Sequence, residues 1–313
     1  MDTNDLPLAD RVVLVAGATR GAGRGIAVAL GAAGATVYCS GRSTRGTRSD
    51  YDRPETVEET AEMVTGAGGT GIASVTDHLD PTQVASLVGR IEAEHGRLDI
   101  LVNDIGGEHY VDFGKRVWEY DLDRGLRLLR AGLETHLITS HFALGLLSRR
   151  SGGLVVEITD GQQLQRDALP REPVHGRHQE CGEPSCVRRR TRAGPAGMLC
   201  GGAHAGLAPL GDDADVFGVT EENWRDATTR TATDGEPAPP GFAVSETPTM
   251  VGRAIAALAQ DPDRQRWNQG SVTSFELAEH YGTTDVDGSR PDAWGYIVEV
   301  EEQGLERTPG DYR

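Results

Sequence analysis

The chain has 313 residues, enough for a single large α/β domain. Its 48 acidic and 31 basic residues give a formal charge of −17, which argues against a nucleic-acid partner or an anionic membrane surface. No apolar run approaches a membrane span, Met1–Asp10 does not read as a signal peptide, and four cysteines do not make a disulfide scaffold. The expected compartment is therefore the cytoplasm.

The organising stretch is Val12 to Gly25, VVLVAGATRGAGRG. Four apolar residues, Val12 to Val15, read as a buried strand. The chain then breaks into glycines at Gly17, Gly21, Gly23 and Gly25, and Ile26–Ala33 continues as a helix. A strand, a glycine turn and a helix N-terminus form an anion site, because backbone N–H groups can approach a phosphate where no Cβ stands in the way. Thr19 and Arg20 lie inside this turn. Ala35–Ser40 reads as the second strand and leads into Gly41-Arg42-Ser43. Arg42 lies about 20 residues beyond the turn, where a dinucleotide-binding fold often carries an acid for the ribose 2′-hydroxyl. An arginine there suits a 2′-phosphate, and Arg20 supplies a second positive charge.

The spacing Gly17-x-x-x-Gly21-x-Gly23 resembles the fingerprint of the short-chain dehydrogenase/reductase family, with Ala16 in place of its threonine. That resemblance implies a doubly wound parallel sheet of Rossmann-like type in one domain. It implies an oxidoreductase moving a hydride between a nicotinamide and a small carbonyl or alcohol substrate, and a homo-oligomer. The expected cofactor is NADP(H), with NAD(H) also admitted. The expected cofactor residues are Gly17, Thr19, Arg20, Gly21, Gly23, Arg42 and Ser43, joined by Asp77, Asn103 and Gly106 further along the chain.

Glu55–Ala67 reads as a helix and Gly71–Val75 as a strand. Asp77 follows that strand, in a slot where the family often touches the adenine; Asp80 before Pro81 suits a helix cap better. Leu98–Val102 is a short strand running into Asn103-Asp104-Ile105-Gly106-Gly107, which resembles the family's N-N-A-G with two departures. Leu122 to Leu147 carries leucines at 122, 126, 129, 133, 137, 144 and 147, an amphipathic pattern expected to pack on the sheet. His136 falls where the family places a helix asparagine of its proton relay, and a lone histidine on such a helix is more often a satisfied core residue. Leu154–Thr159 is the fifth strand. The family ends it with two serines; here the pair is Thr159-Asp160, and a charged Asp160 would repel a developing oxyanion. Thr159, Asp160 and His136 are the catalytic candidates.

From Gln162 to Asp215 the composition changes: no Ile, Phe, Tyr, Trp or Lys, three of the four cysteines, and an arginine cluster at 188–192. The family carries its catalytic tyrosine and lysine, spaced Y-x-x-x-K, in this region. No tyrosine in the chain has a lysine four residues on, and the single lysine is Lys115. Shifting the codon frame by one base lets Met198–Gly211 read C-S-A-V-A-L-T-P-G-W-L-R-S-E, an apolar strand followed by Pro-Gly. Arg177–Cys186 becomes V-T-K-N-A-V-N-R-L-A, which puts a lysine at the slot of Gln179. The slot of His175, where the tyrosine is expected, admits only methionine or threonine. A compensated frameshift in the gene or its sequencing is the expected cause. As written, the segment is expected to lack the family's helix and sixth strand. It also holds His175, His178, Cys181 and Cys186, residues a zinc ion accepts, though not at the spacing of a standard finger.

Order returns at Val216. Residues 216–249 read as the substrate lid and Thr247–Gln260 as a capped helix with Val251, Ile255 and Leu258 inward. Trp267–Phe275 holds a last edge strand, Asp285–Gly288 is a turn, and 289–313 is an acidic tail. The leading functional reading is an NADP(H)-dependent oxidoreductase. The alternatives are a catalytically impaired cofactor-binding relative, acting as a sensor or partner subunit, and a zinc-binding module in the same fold.

Overall fold

The computed structural model describes residues 6–50, 52–106, 116–159, 199–204, 238 and 240–313. Its centre is a seven-stranded parallel sheet in the order β3-β2-β1-β4-β5-β6-β7. The strands are β1 (Val12–Ala16), β2 (Thr36–Gly41), β3 (Thr70–Val75), β4 (Ile100–Asn103), β5 (Leu154–Thr159), β6 (Leu199–His204) and β7 (Ser271–Thr273). The order runs outward from β1 to β3 on one side and from β4 to β7 on the other. The switch point of this doubly wound sheet therefore lies between β1 and β4, where such folds bind ligands beyond the strands' carboxyl ends.

The core follows the period of two in each strand. Val13, Val15 and Val37 face one side, against Ile26 and Leu30 of α1 (Gly21–Ala32). Val251 and Ile255 of α6 (Pro248–Gln260) complete that layer. Val12, Leu14 and Tyr38 face the other side, against Leu87 and Ile91 of α3 (Pro81–His95) and Leu146 and Leu147 of α5 (Thr135–Leu147). A sheet covered on both faces explains why β1 is apolar throughout rather than alternating. In the α1 layer α2 (Val57–Gly66), with Ala61 and Val64 in that core, opens with a capping box of Thr56 and Glu59. Asp80 caps α3, with Pro81 at its first position, as its sequence suggested.

α1 and α6 touch through glycine. A Cβ on Gly25 would lie 2.2 Å from the Pro248 carbonyl oxygen, and one on Gly252 would lie 2.5 Å from the Gly25 oxygen. Thr247 caps α6 and is itself held by the buried Asp285, which accepts from the Thr247 N–H at 2.8 Å. Beyond β7, α7 (Ser274–Tyr281) ends at Gly282 in the left-handed region. The acidic stretch 289–313 is built of helical turns, with α8 at Ala293–Tyr296, and Asp292 donates its N–H to the Tyr312 carbonyl at 2.8 Å.

Two expectations need correction. Residues 162–215 were expected to lack a sixth strand, but Leu199–His204 pairs in parallel register with β5 and with β7. Parallel ladders are made by backbone groups, so a small-residue segment can occupy the slot even where its side chains offer little to bury. The helix expected to be missing, the candidate zinc ligands His175, His178, Cys181 and Cys186, and Lys115 lie outside the described residues, as does most of the 216–249 segment. The leucine stripe of 122–147 does form helix, as α4 (Leu122–Leu129) and α5; its end, Leu144 and Leu147, packs on the sheet, but the earlier part does not. Leu122, Leu126 and Leu137 are exposed. A π-helical turn at Arg130–Glu134 joins the two helices, and its widened turn breaks the 3.6-residue register on which the stripe depends. The inward face is instead Leu128, Gly132, Thr135, His136, Thr139, Ser140 and Ala143.

Candidate active site

The glycine turn sits at the carboxyl end of β1. Gly17 has φ of 95° and Gly21 has φ of 55°, both in the left-handed region that a side chain resists. A Cβ on Gly17 would meet the Asp104 carbonyl at 2.2 Å, and one on Gly23 would lie 2.7 Å from the Asp104 Oδ2. These glycines thus let the turn lie directly on the segment after β4. The N–H groups of Gly17 and Ala18 both donate to the Ser40 carbonyl at 3.0 Å, tying the turn to β2. Helix α1 opens at Arg20 with no side-chain cap and no acid in its first turn among the described residues. Its first N–H groups and the positive end of its dipole face the carboxyl edge of the sheet.

Arg20 reaches across to the end of β2, where its Nη2 donates to the Ser43 hydroxyl at 3.3 Å. Arg42, half exposed, pairs with Asp50 at 2.8 Å. Thr19 is buried and so close to Gly41 that a Cβ there would lie 2.4 Å from the threonine hydroxyl. Arg24 donates to the Thr19 carbonyl and the Thr60 hydroxyl, both at 3.0 Å, and so fastens the turn to α2. Asp77 lies past β3, its carboxylate accepting from the Leu79 N–H at 2.9 Å. Gly106 is exposed at the end of the β4 segment. The structure therefore brings Gly17, Thr19, Arg20, Gly21, Gly23, Arg42, Ser43, Asp77, Asn103 and Gly106 to one edge of the sheet. Arg20 and Ser43 are joined there by a direct side-chain hydrogen bond.

Behind this edge runs a buried polar layer between the sheet and α5. Asn103 is fully buried and donates through its amide to the Ser140 hydroxyl and to Glu157 Oε1, each at 3.1 Å. Asn103 and Glu157 are register partners on β4 and β5, which explains their contact. Glu157 accepts from His136 Nδ1 at 2.8 Å, and His136 Nε2 donates to the Ile105 carbonyl at 3.0 Å. Each ring nitrogen of His136 thus has a hydrogen-bond partner, which fixes the orientation of the ring. Next to it, His78 lies between the hydroxyls of Ser40 (2.9 Å) and Thr139 (2.7 Å). Burial, aided by the charge of His136, pushes the His78 pKa down to about 3, so this ring is neutral at ordinary pH.

Among the catalytic candidates, His136 is thus a bonded member of the layer, and Thr159 is buried at the end of β5 opposite His204 of β6. Asp160 lies outside the described residues. Glu157, His78 and Ser140 were not singled out from sequence. A glutamate inside the apolar strand Leu154–Thr159 was the one visible signal, since a buried carboxylate needs a partner.

Comparison with known proteins decides the family. The model for short chain dehydrogenases matches residues 11–167. The chain belongs to the short chain dehydrogenase family. It is 28% identical over 289 residues to the mouse (Mus musculus) protein named dehydrogenase/reductase SDR family member 1, covering 90% of this chain and 85% of that one. It is 28% identical over 152 residues to the 7alpha-hydroxysteroid dehydrogenase of Clostridium sardiniense, covering 49% of this chain and 54% of that enzyme. A short chain dehydrogenase from Mycobacterium thermoresistibile, solved by crystallography, superposes with a TM-score of 0.71 at 17% identity over 90% of this chain and 92% of its own, a likeness of fold. Members of this family are oxidoreductases that use a nicotinamide dinucleotide, and the site described above fits one: an uncapped helix start, glycines without room for Cβ, and arginine at the end of β2. No helix among the described residues is long and apolar enough to cross a membrane.

Proposed function

We propose that this chain is an NADP(H)-dependent oxidoreductase acting on a small carbonyl or alcohol in the cytoplasm, as a homo-oligomer. The observation that carries the cofactor assignment is the Arg20–Ser43 bond at the end of β2, with Arg42 in the same loop. Two guanidinium groups and a hydroxyl suit a 2′-phosphate, whereas a 2′-hydroxyl asks for a carboxylate. In this reading the Gly17–Gly23 turn and the start of α1 hold the pyrophosphate, Asp77 lies toward the adenine, and Asn103 and Gly106 line the cleft. NAD(H) fits the same cradle without the phosphate contacts. The bound nicotinamide supplies or accepts the hydride.

The chain's own part in the proton step is weaker. Thr159 offers a hydroxyl to a substrate carbonyl, Asp160 donates only when protonated, and His136 is held between Glu157 and the Ile105 carbonyl. The Tyr-x-x-x-Lys pair is absent from the chain as written, and this favours a second reading: a cofactor-binding protein with little turnover, serving as a sensor or partner subunit. A metal site is the least favoured reading, since the spacing of His175, His178, Cys181 and Cys186 is not that of a standard finger.

The test is fluorescence titration with each cofactor. Losing a hydrogen bond to a charged group typically costs about 1.5–3 kcal/mol. Arg42→Ala should therefore weaken NADPH binding roughly tenfold or more and leave NADH nearly unchanged. Equal losses for both cofactors would overturn the 2′-phosphate assignment.

A further inference from the structure

The loop beyond β2 is not a simple basic patch. Arg42 pairs with Asp50, Arg45 with Glu62 at 2.7 Å, Arg48 with Asp52 at 2.9 Å and Arg24 with Glu59 at 3.3 Å. Except for Arg24, these side chains are 44–81% exposed, so water screens them and their charges oppose an arriving phosphate weakly. Glu55 differs. Its side chain is 18% exposed, and it is gripped by Arg53, itself 15% exposed, through two hydrogen bonds. The same carboxylate lies 3.9 Å from Arg20 Nε, and Arg20 is the residue bonded to Ser43. One carboxylate thus serves both the arginine aimed at the cofactor corner and the arginine that anchors the loop.

We propose that Glu55 is the specificity-determining residue that limits how strongly the site prefers NADPH over NADH. The proposal rests on the assignment of Arg20, Ser43 and Arg42 to the 2′-phosphate. Its physics is direct. In a partly desolvated corner a fixed negative charge offsets part of the Arg20 charge and repels an incoming phosphate dianion. Burial alone would raise the Glu55 pKa, but the hydrogen bonds from Arg53 and its own amide, with the charges of Arg53 and Arg20, outweigh it and hold the carboxyl below the ordinary range. The acid is therefore charged whenever the cofactor binds. A 2′-hydroxyl carries no charge and does not feel this opposition.

The experiment measures dissociation constants of NADPH and NADH for the full chain and three variants, each checked for an unchanged circular dichroism spectrum. Glu55→Gln keeps the shape and removes the charge, and should tighten NADPH about tenfold while NADH changes less than about twofold. Arg53→Gln releases the carboxylate toward Arg20 and should move NADPH in the opposite direction, weakening it several-fold with NADH unchanged. A ratio unmoved by Glu55→Gln, with Arg42→Ala still losing NADPH selectively, overturns the role of Glu55 alone. Equal losses of both cofactors in Arg42→Ala bring down the phosphate site and this proposal with it.

Discussion

His78 shows how a single side chain couples this fold to pH. Its ring is enclosed between Ser40 on β2 and Thr139 on α5; the neutral ring accepts from one hydroxyl and donates to the other, and each hydroxyl also lies within hydrogen-bond distance of a backbone carbonyl, of Val15 and Thr135. In an unfolded chain a histidine titrates near its ordinary value of about 6.5. In the fold this one titrates at about 3. Between those values the unfolded state binds the extra proton. His78 therefore withholds nothing from stability above about pH 6.5, and its cost grows as pH falls toward 3. His78→Leu removes this titration, and its partners keep their carbonyl acceptors. Urea unfolding at a series of pH values should show the wild type losing stability faster than the variant below neutrality, by an amount on the order of a few kcal/mol at the acid end. Parallel curves for the two proteins would contradict a buried, neutral His78.

At the scale of elements, close backbone approach decides which helices can stand together. α1 and α6 meet where Gly25 and Gly252 lie against each other's backbone. Gly252→Ala would place a methyl 2.5 Å from the Gly25 carbonyl oxygen, so the helices must separate. Such overpacking typically costs about 1–3 kcal/mol. The urea midpoint should fall accordingly, with the near-ultraviolet spectrum retained; an unchanged midpoint would show that the helix pair has slack. This scale also shows what sequence can reveal. The strand at Leu154–Thr159 and the capped helix after Thr247 were legible because apolar runs and caps are local signals. The orientation of α4 and of the first half of α5 was not. The leucines imply a core-facing stripe, but the π-helical turn at 130–134 and the polar partners Asn103, Glu157 and His78 turn Thr135, His136, Thr139 and Ser140 inward instead. No local pattern announces a π-helical turn, and the partners that reward it lie in distant parts of the chain.

The whole molecule combines a glycine-rich edge, which we propose holds the cofactor, with an incomplete proton-transfer set. The strand, glycine turn and helix start of that edge were readable in advance, because glycines with no room for a Cβ are dictated by backbone geometry, not by distant contacts. The sixth strand was misjudged because composition predicts side-chain burial, whereas the parallel ladder of Leu199–His204 is a backbone property. The buried pair of Glu157 and His136 was half seen: the histidine was noted, but its partner became recognisable only once β5 and α5 were side by side. What the sequence states without ambiguity is the missing Tyr-x-x-x-Lys. General acid–base catalysis is typically worth about 10²–10⁴-fold in rate, and holding the nicotinamide in place does not replace it. The account therefore rests most directly on one measurement: NADPH oxidation by the chain as written, followed by absorbance over a panel of aldehydes and ketones, at cofactor concentrations that saturate the site. Saturable NADPH binding with turnover at least about 10²-fold below ordinary enzyme rates is the result expected. Robust turnover would contradict the account and point to a proton donor other than Thr159, Asp160 or His136.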